Sequence, residues 1–125
     1  MKRVAQVIGL PAENRAEYER YHSAVWPSVI DRLKKSHIHN FSIFRQGELL
    51  FCYFEYTGSD YEADMAAMDA DSEIQRWYTL QMPLQQPLED RAEGEWWMRI
   101  KEVFHSDHNK TVFRFLYPVV LDAGL

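Results

Sequence analysis

Alternation of hydrophobic and polar residues predicts four β-strands along the chain. They span residues 2–10, 37–45, 49–56 and 96–105, and each places successive side chains on opposite faces. The turn at residues 46–48 joins the second and third strands into a hairpin. The third strand is apolar on both faces, so both must be covered, one by helices and the other by a partner subunit or a ligand cavity.

Helical spacing of apolar residues predicts four helices, which lie in two pairs between the strands. They span residues 12–22, 27–35, 59–70 and 71–81. Pro27 disfavours helical geometry at Trp26, so we expect a bend between the first two helices. Ser59 is the expected N-cap of the third helix, and Asp71 or Ser72 that of the fourth.

The order of elements is β-α-β-β-α-β when each helical pair counts as one unit. This order is typical of the ferredoxin-like α+β fold, whose four-stranded sheet has helices on one face only. A second copy packed on the bare face would cover it, which predicts a homodimer of the α/β-barrel type. We expect residues 1–107 to form this single domain and residues 108–125 to form an apolar C-terminal extension.

Composition narrows the class of protein further. A length of 125 residues fits one domain, and a net charge of −5 disfavours nucleic-acid binding because it repels phosphate backbones. No apolar run is long enough to span a bilayer, and no signal-peptide pattern follows the basic pair at residues 2–3. Cys52 is the only cysteine, so no intrachain disulfide is expected and a cytoplasmic location is favoured.

His22 is the candidate acid–base residue. Histidine ordinarily titrates near neutral pH, where proton transfer in either direction is easiest. Tyr18 lies four residues earlier on the same helix face, so its hydroxyl can orient a ligand. The local sequence by itself favours a structural histidine bonded to a backbone carbonyl over an acid–base residue, and both interpretations stay open at this point.

Two other groups of residues are candidates for ligand binding. His37 and His39 lie two apart on a predicted strand and so face one side, as two metal ligands would, but no third ligand lies nearby and we predict no metal site. Aromatic residues make up 14% of the chain, which suits core packing or stacking on a sugar. Of the adjacent pair Trp77 and Tyr78, at least one must face the core.

Five short stretches, in order along the chain, together resemble the L-rhamnose mutarotase family of small sugar epimerases. They are residues 17–18 with His22 and residues 26–27, then residues 39–43, 49–51, 75–78 and 102–104. The resemblance implies a dimeric ferredoxin-like α/β barrel that needs no cofactor. It also implies an activity, the interconversion of the α and β anomers of a neutral 6-deoxy-hexose.

The resemblance also assigns site residues. His22 matches the family's acid histidine, and Tyr18 matches its first sugar-binding tyrosine. The second sugar-binding tyrosine falls on Phe41, which has no hydroxyl, and the family's tryptophan pair falls on Trp77 and Tyr78. These two departures lie in the wall that selects the sugar, so L-fucose is an alternative to L-rhamnose.

Two other classes of function are compatible with such a barrel. One is a sugar-binding or sensing module in which His22 is structural, and the other is a cofactor-free monooxygenase. Mutarotation is favoured because it requires only a proton delivered to the ring oxygen and another removed from the C1 hydroxyl. One histidine, together with a hydroxyl group or water, meets that requirement.

Overall fold

A four-stranded antiparallel sheet forms the centre of the protein. The computed structural model describes residues 1–107, so the extension predicted for residues 108–125 lies outside the described residues. The strands are β1 (Lys2–Gly9), β2 (Ile38–Gln46), β3 (Leu49–Tyr56) and β4 (Met98–Ile100), and the helices are α1 (Arg15–His22), α2 (Pro27–Lys35), α3 (Tyr61–Asp69) and α4 (Ser72–Gln81). Short 3-10 turns at Ala12–Asn14 and Met82–Leu84 precede α1 and follow α4. The predicted α+β class is confirmed.

The strand order in the sheet is β2-β3-β1-β4. β1 pairs with β3 over its whole length, from Lys2 opposite Tyr56 to Gly9 opposite Leu49. β4 pairs with the other edge of β1 through three residues. The first and last strands are therefore neighbours, and both helical pairs connect strands of one sheet.

One face of the sheet supports the helices. Its side chains are almost fully buried and include Val4, Ile8, Leu50, Cys52 and Phe54. Leucine and methionine side chains from α2 and α3 pack against this face, and Tyr18 of α1 packs against its other end. α4 packs on α2 around Val29, Ile74 and Trp77. Burial of these apolar side chains is the main source of stability for such a layer.

The opposite face of the sheet is open in the described chain. Phe44 and Phe51 are paired across β2 and β3 on this face, and their side chains are 64% and 36% exposed. Leu49 is exposed to a similar degree. The prediction that β3 is apolar on both faces is therefore confirmed, and helices cover only one of them.

The bend between α1 and α2 occurs where it was predicted. Trp26 has φ −58° and ψ 137°, an extended conformation, and its carbonyl accepts bonds from the N–H groups of Val29 and Ile30. Pro27 is the first residue of α2, where its missing N–H has no cost.

Strict alternation along the second strand was a wrong prediction. A β-bulge between His39 and Ser42 shifts the register of β2, and Asn40 there has a positive φ of 51°. Strict alternation would place Ile38 and Ile43 on opposite faces, yet both pack in the same cluster on the helical side. An extra residue in one strand moves every later side chain by one face, which explains the change.

The starts of α3 and β2 also differ from prediction. Asp60, not Ser59, caps α3, because its carboxylate accepts the N–H of Ala63. β2 begins at Ile38, so His37 lies outside it with φ 61° and does not share a strand face with His39.

The last strand is shorter than the predicted residues 96–105. Continuing the register of β4 places Glu102 opposite Arg3, and these side chains form an ion pair of 2.6 Å. In the same register Lys2, the first residue of β1, would lie opposite Val103, so β1 has no partner for residues 104 and 105. Phe104 is accordingly exposed.

Residues 1–107 contain neither a membrane-spanning helix nor a cluster of metal ligands. No helix there is long and apolar enough to cross a membrane. No group of three or more His, Cys, Asp or Glu side chains in this part of the chain is arranged to hold a metal ion.

Candidate active site

The last two turns of α1 place Tyr18 and His22 together. The two rings are stacked, with centroids 4.1 Å apart and planes inclined by 24°, because residues four apart lie on one helix face. α1 ends at His22, and the Ser23 hydroxyl donates to the Arg20 carbonyl at 2.7 Å. The histidine therefore lies at the C-terminus of the helix, half-buried.

The His22 ring is held in one tautomer by the backbone. Its Nδ1 lies 2.8 Å from the Tyr18 carbonyl oxygen, which can only accept, so Nδ1 must carry a hydrogen. Nε2 then has the free lone pair. Burial lowers the pKa of His22 below its ordinary value of 6.5, and the bond to the Tyr18 carbonyl opposes this only in part. The structure thus has the backbone bond of a structural histidine and, at the same time, a neutral ring with an unoccupied basic nitrogen.

The Tyr18 side chain is held by residues that are distant in sequence, including Gln85 and Trp96. Its ring is 3% exposed and packs with Ile8, Leu10 and Leu50. The Trp96 indole N–H donates to Gln85 Oε1 at 2.8 Å, which turns the Gln85 amide nitrogen towards the Tyr18 hydroxyl oxygen, 3.4 Å away.

This chain of donors fixes the role of the Tyr18 hydroxyl. Because Gln85 donates to the phenolic oxygen, the hydroxyl hydrogen stays available for another acceptor. Burial raises the pKa of Tyr18 to about 12, so the phenol remains protonated at neutral pH. Tyr18 is therefore a neutral hydrogen-bond donor beside His22.

Trp77 of α4 is the third member of the aromatic group, after Tyr18 and His22. Its ring meets His22 edge-on with centroids 5.3 Å apart, and it also contacts Tyr21 and Trp26 at 6.1 Å and 5.1 Å. The Asp71 carboxylate caps α4 by accepting the N–H groups of Glu73 and Ile74, and Trp77 projects from the buried side of this helix. Trp77 is 7% exposed and forms an apolar wall for the imidazole.

Phe41 lies on β2, whereas Tyr78 follows Trp77 on α4 and packs against the cluster that contains it. Phe41 belongs to the bulge of β2 and stacks on Phe54 with centroids 5.8 Å apart; it is 41% exposed. Tyr78 packs against the Val29 cluster, and burial together with the nearby Asp69 carboxylate raises the pKa of Tyr78 to about 12. The structure therefore brings Tyr18, His22 and Trp77 together, while sugar contacts by Phe41 and Tyr78 stay predictions.

Two surface clefts are lined by residues outside the group of Tyr18, His22 and Trp77. The first, of about 180 Å³, lies between α2 and the start of α4 and is lined by Ser28, Asp31, Arg32, Lys35, Asp71 and Glu73. The second is a shallow apolar depression beside Trp26 and Leu80. Neither is lined by Tyr18 or His22, and the first has charges of both signs, which do not suit a neutral ligand.

Sequence reasoning missed the residues that support Tyr18. Gln85 lies in the segment of residues 82–95 that the sequence predicts as a long loop, and Trp96 begins the predicted last strand but precedes β4 in the structure. No local pattern marks either residue. The length of that loop was the one available signal, since long loops in small domains are usually functional or disordered.

Comparison with known proteins decides the family. The family model described as L-rhamnose mutarotase matches residues 3–106, which is most of the chain. The chain belongs to the L-rhamnose mutarotase family. The resemblance in the sequence is thereby confirmed, and the aromatic group around His22 is the candidate active site of a family of isomerases.

Relatives of similar length support membership of this L-rhamnose mutarotase family. The L-rhamnose mutarotase of Bacillus subtilis is 32% identical over 110 residues, which cover 86% of this chain and all of the relative. That of Oceanobacillus iheyensis is 30% identical over 109 residues, with the same coverage of both chains.

Solved structures show the fold that this member of the family shares. The crystal structure of L-rhamnose mutarotase FA22100 from Formosa agariphila has a TM-score of 0.66 at 17% identity and covers 86% of this chain and all of that one. Tetracenomycin F2 cyclase from Streptomyces glaucescens, a type-II polyketide cyclase, has a TM-score of 0.57 at 16% identity, covering 85% of this chain and 96% of that one. The same α+β architecture thus occurs with different chemistry, so function has to be argued from the site.

Proposed function

We propose that this protein is an aldose 1-epimerase that interconverts the α and β anomers of L-rhamnose. The observation that carries the proposal is the fixed His22 tautomer, with Nδ1–H on the Tyr18 carbonyl and a free lone pair on Nε2. The family supplies the reaction class, and the names of the relatives supply the sugar.

His22 transfers the proton in this mechanism. Nε2 removes the proton from the C1 hydroxyl while the bond between C1 and the ring oxygen breaks and a C1 carbonyl forms. The C1 carbonyl group then turns, and the freed ring oxygen, an alkoxide stabilised by the hydrogen bond from the Tyr18 hydroxyl, attacks its other face. The imidazolium returns its proton to the C1 oxygen as the ring closes. By microscopic reversibility, the base in one direction is the acid in the other, so this role agrees with the acid position implied by the resemblance.

Tyr18 and Trp77 have supporting roles. The Tyr18 hydroxyl donates a hydrogen bond to the ring oxygen as negative charge develops there, and Gln85 keeps it in the orientation that allows this. Trp77 offers an apolar surface to the sugar ring and its methyl group and limits access of water to the imidazole. None of these steps draws on redox chemistry.

The decisive experiment measures exchange between anomers by NMR saturation transfer. The wild-type protein should accelerate exchange of L-rhamnose, and His22→Gln should lower the rate constant by about 10²-fold or more, the usual contribution of a positioned acid–base group. His39→Gln is the matched control, because His39 is an exposed histidine on β2. A wild-type rate equal to that of buffer alone would refute the proposal.

The same assay distinguishes the alternatives. L-fucose is run beside L-rhamnose, since Phe41 and Tyr78 replace residues that the resemblance places in the sugar-selecting wall. Sugar-dependent thermal stabilisation without faster exchange would indicate a sensing module. Oxygen uptake with a quinol-type substrate would indicate a monooxygenase.

We also propose that two copies pack through their open sheet faces. The support is the exposed apolar surface around Phe44, Phe51 and Leu49, together with the dimeric barrel that the resemblance implies. Isolated monomers rarely leave a contiguous apolar sheet face in water.

A cytoplasmic location and a one-domain plan over residues 1–107 stay predictions.

A further inference from the structure

Gln81 is a buried polar side chain without a hydrogen-bond partner. It is 4% exposed, and neither its amide nitrogen nor its amide oxygen has a partner. Arg15 also has a buried unpaired nitrogen, but another nitrogen of its guanidinium donates to the Gly47 carbonyl. Within residues 1–107, Gln81 is thus the side chain whose whole polar group is buried and unpaired.

An unpaired buried amide destabilises the protein that carries it. Buried polar groups in native proteins nearly always have partners, and each exception calls for an explanation such as an unfilled binding site. A methionine has a similar volume and would remove the penalty, since volume-conserving replacements are well tolerated in cores. Retaining glutamine at this place therefore suggests that its partner is a ligand.

The position of Gln81 points to the sugar site. It is the last residue of α4 and lies one turn after Trp77 on the same helix side, and Trp77 contacts His22. Four residues after it comes Gln85, which donates to the Tyr18 hydroxyl. Along the chain, Gln81 therefore lies midway between Trp77 and Gln85, the two residues of this segment that contact His22 and Tyr18.

We propose that Gln81 is a substrate-binding, specificity-determining residue of the site, whose carboxamide binds hydroxyl groups of the sugar. This inference rests on the proposed mutarotase function. A carboxamide offers one donor side and one acceptor side, which match two neighbouring hydroxyls of a neutral sugar.

The test compares Gln81→Met with the wild type in two properties. The stability of the free protein should rise, and the affinity for L-rhamnose should fall. The free variant should be more stable, with a Tm several degrees higher, because the unpaired amide is gone. Its KM for L-rhamnose should rise roughly tenfold while kcat changes little, as expected when a uniform binding contact is lost. Gln75→Met, an exposed glutamine on the same helix, should leave KM unchanged.

Deoxy analogues of L-rhamnose identify the contact. The wild type should lose affinity for the analogue that lacks the bound hydroxyl, whereas Gln81→Met should bind that analogue and L-rhamnose alike. If Gln81→Met does not fold, Gln81→Leu is measured in the same way.

The outcomes separate this inference from the proposed function. A wild type that accelerates exchange, with a Gln81→Met variant of unchanged KM, overturns only the role of Gln81. A wild type without acceleration on any sugar overturns both. Loss of both stability and affinity in the variants would assign Gln81 a structural role and also refute the inference.

Discussion

At the scale of single residues, one hydrogen bond decides the chemistry of His22. The Tyr18 carbonyl fixes the proton on Nδ1, and burial disfavours the second proton on Nε2. The ring is therefore ready to accept a proton at neutral pH. Tyr18 is complementary, because burial keeps its phenol protonated as a donor.

We predict a pH dependence that follows from this environment. Catalysis needs the neutral ring, so the exchange rate should be flat through neutral pH and fall on the acid side with a midpoint below 6.5, the ordinary pKa of histidine. Between the lowered folded value and 6.5 the unfolded chain binds more protons, so stability should also fall as the pH falls through that window.

Saturation-transfer rates and urea unfolding across this pH range check the prediction. His22→Gln should lose the histidine's share of the pH dependence of stability. A rate midpoint above 6.5 would contradict the environment described for His22.

The sequence identified the residue types of this site better than their contacts. Tyr18 and His22 could be paired from helical periodicity alone, because the residues lie on one element. Gln85 could not be linked to Tyr18, because their contact depends on where a loop 67 residues away returns to the helix. The resemblance named Trp77 and Tyr78 together, but only the helix packing shows that Trp77 faces His22 while Tyr78 lies near Asp69.

At the scale of elements, sequence reasoning succeeded where a covalent or steric rule acts locally. Pro27 determined the start of α2, and the bounds of β3 agreed with its hydrophobic run. Sequence reasoning failed where two neighbouring residues suit the same position equally well. Ser59 and Asp60 are both good N-cap residues, and only the structure shows that Asp60 caps α3. The bulge in β2 also escaped sequence reasoning, because the energy of a bulge depends on the partner strand.

The end of α2 gives a stability prediction. His37 follows the Ser36 C-cap with a left-handed φ of 61°, which costs a non-glycine residue about 1–2 kcal/mol. His37→Gly should remove this strain but increase the entropy of the unfolded chain, for a net gain of about 0.5–1 kcal/mol in the free energy of unfolding.

Urea unfolding of two variants tests this effect. His39→Gly is the matched control, because His39 is an exposed histidine inside β2 and glycine there should destabilise by about 0.5–1 kcal/mol. Equal changes in both variants would show that the left-handed conformation at His37 carries no strain.

At the scale of the whole molecule, the open sheet face determines the proposed assembly. We predict that the double variant Phe44→Lys with Phe51→Glu is monomeric by light scattering while the wild type is a dimer. The two positions are directly paired across β2 and β3, so opposite charges preserve strand pairing but remove the apolar contact.

A substitution on the helical layer is the control for this experiment. Ile30 of α2 is 38% exposed, and Ile30→Lys should leave the dimer intact. Dimers of equal stability in both variants would place the interface elsewhere on the protein.

The residues that we propose for proton transfer and those that line its α4 side lie on two short pieces of chain, and this has an evolutionary consequence. In the proposed mechanism, proton transfer depends on one turn of α1, from Tyr18 to His22. Trp77, Gln81 and Gln85 lie along one continuous segment of nine residues. If Gln81 binds the sugar as we propose, a substitution there can change which sugar is accepted without altering the tautomer, because the Tyr18 carbonyl fixes that tautomer within α1. Descendants of this chain can therefore acquire new substrates while they inherit the reaction unchanged.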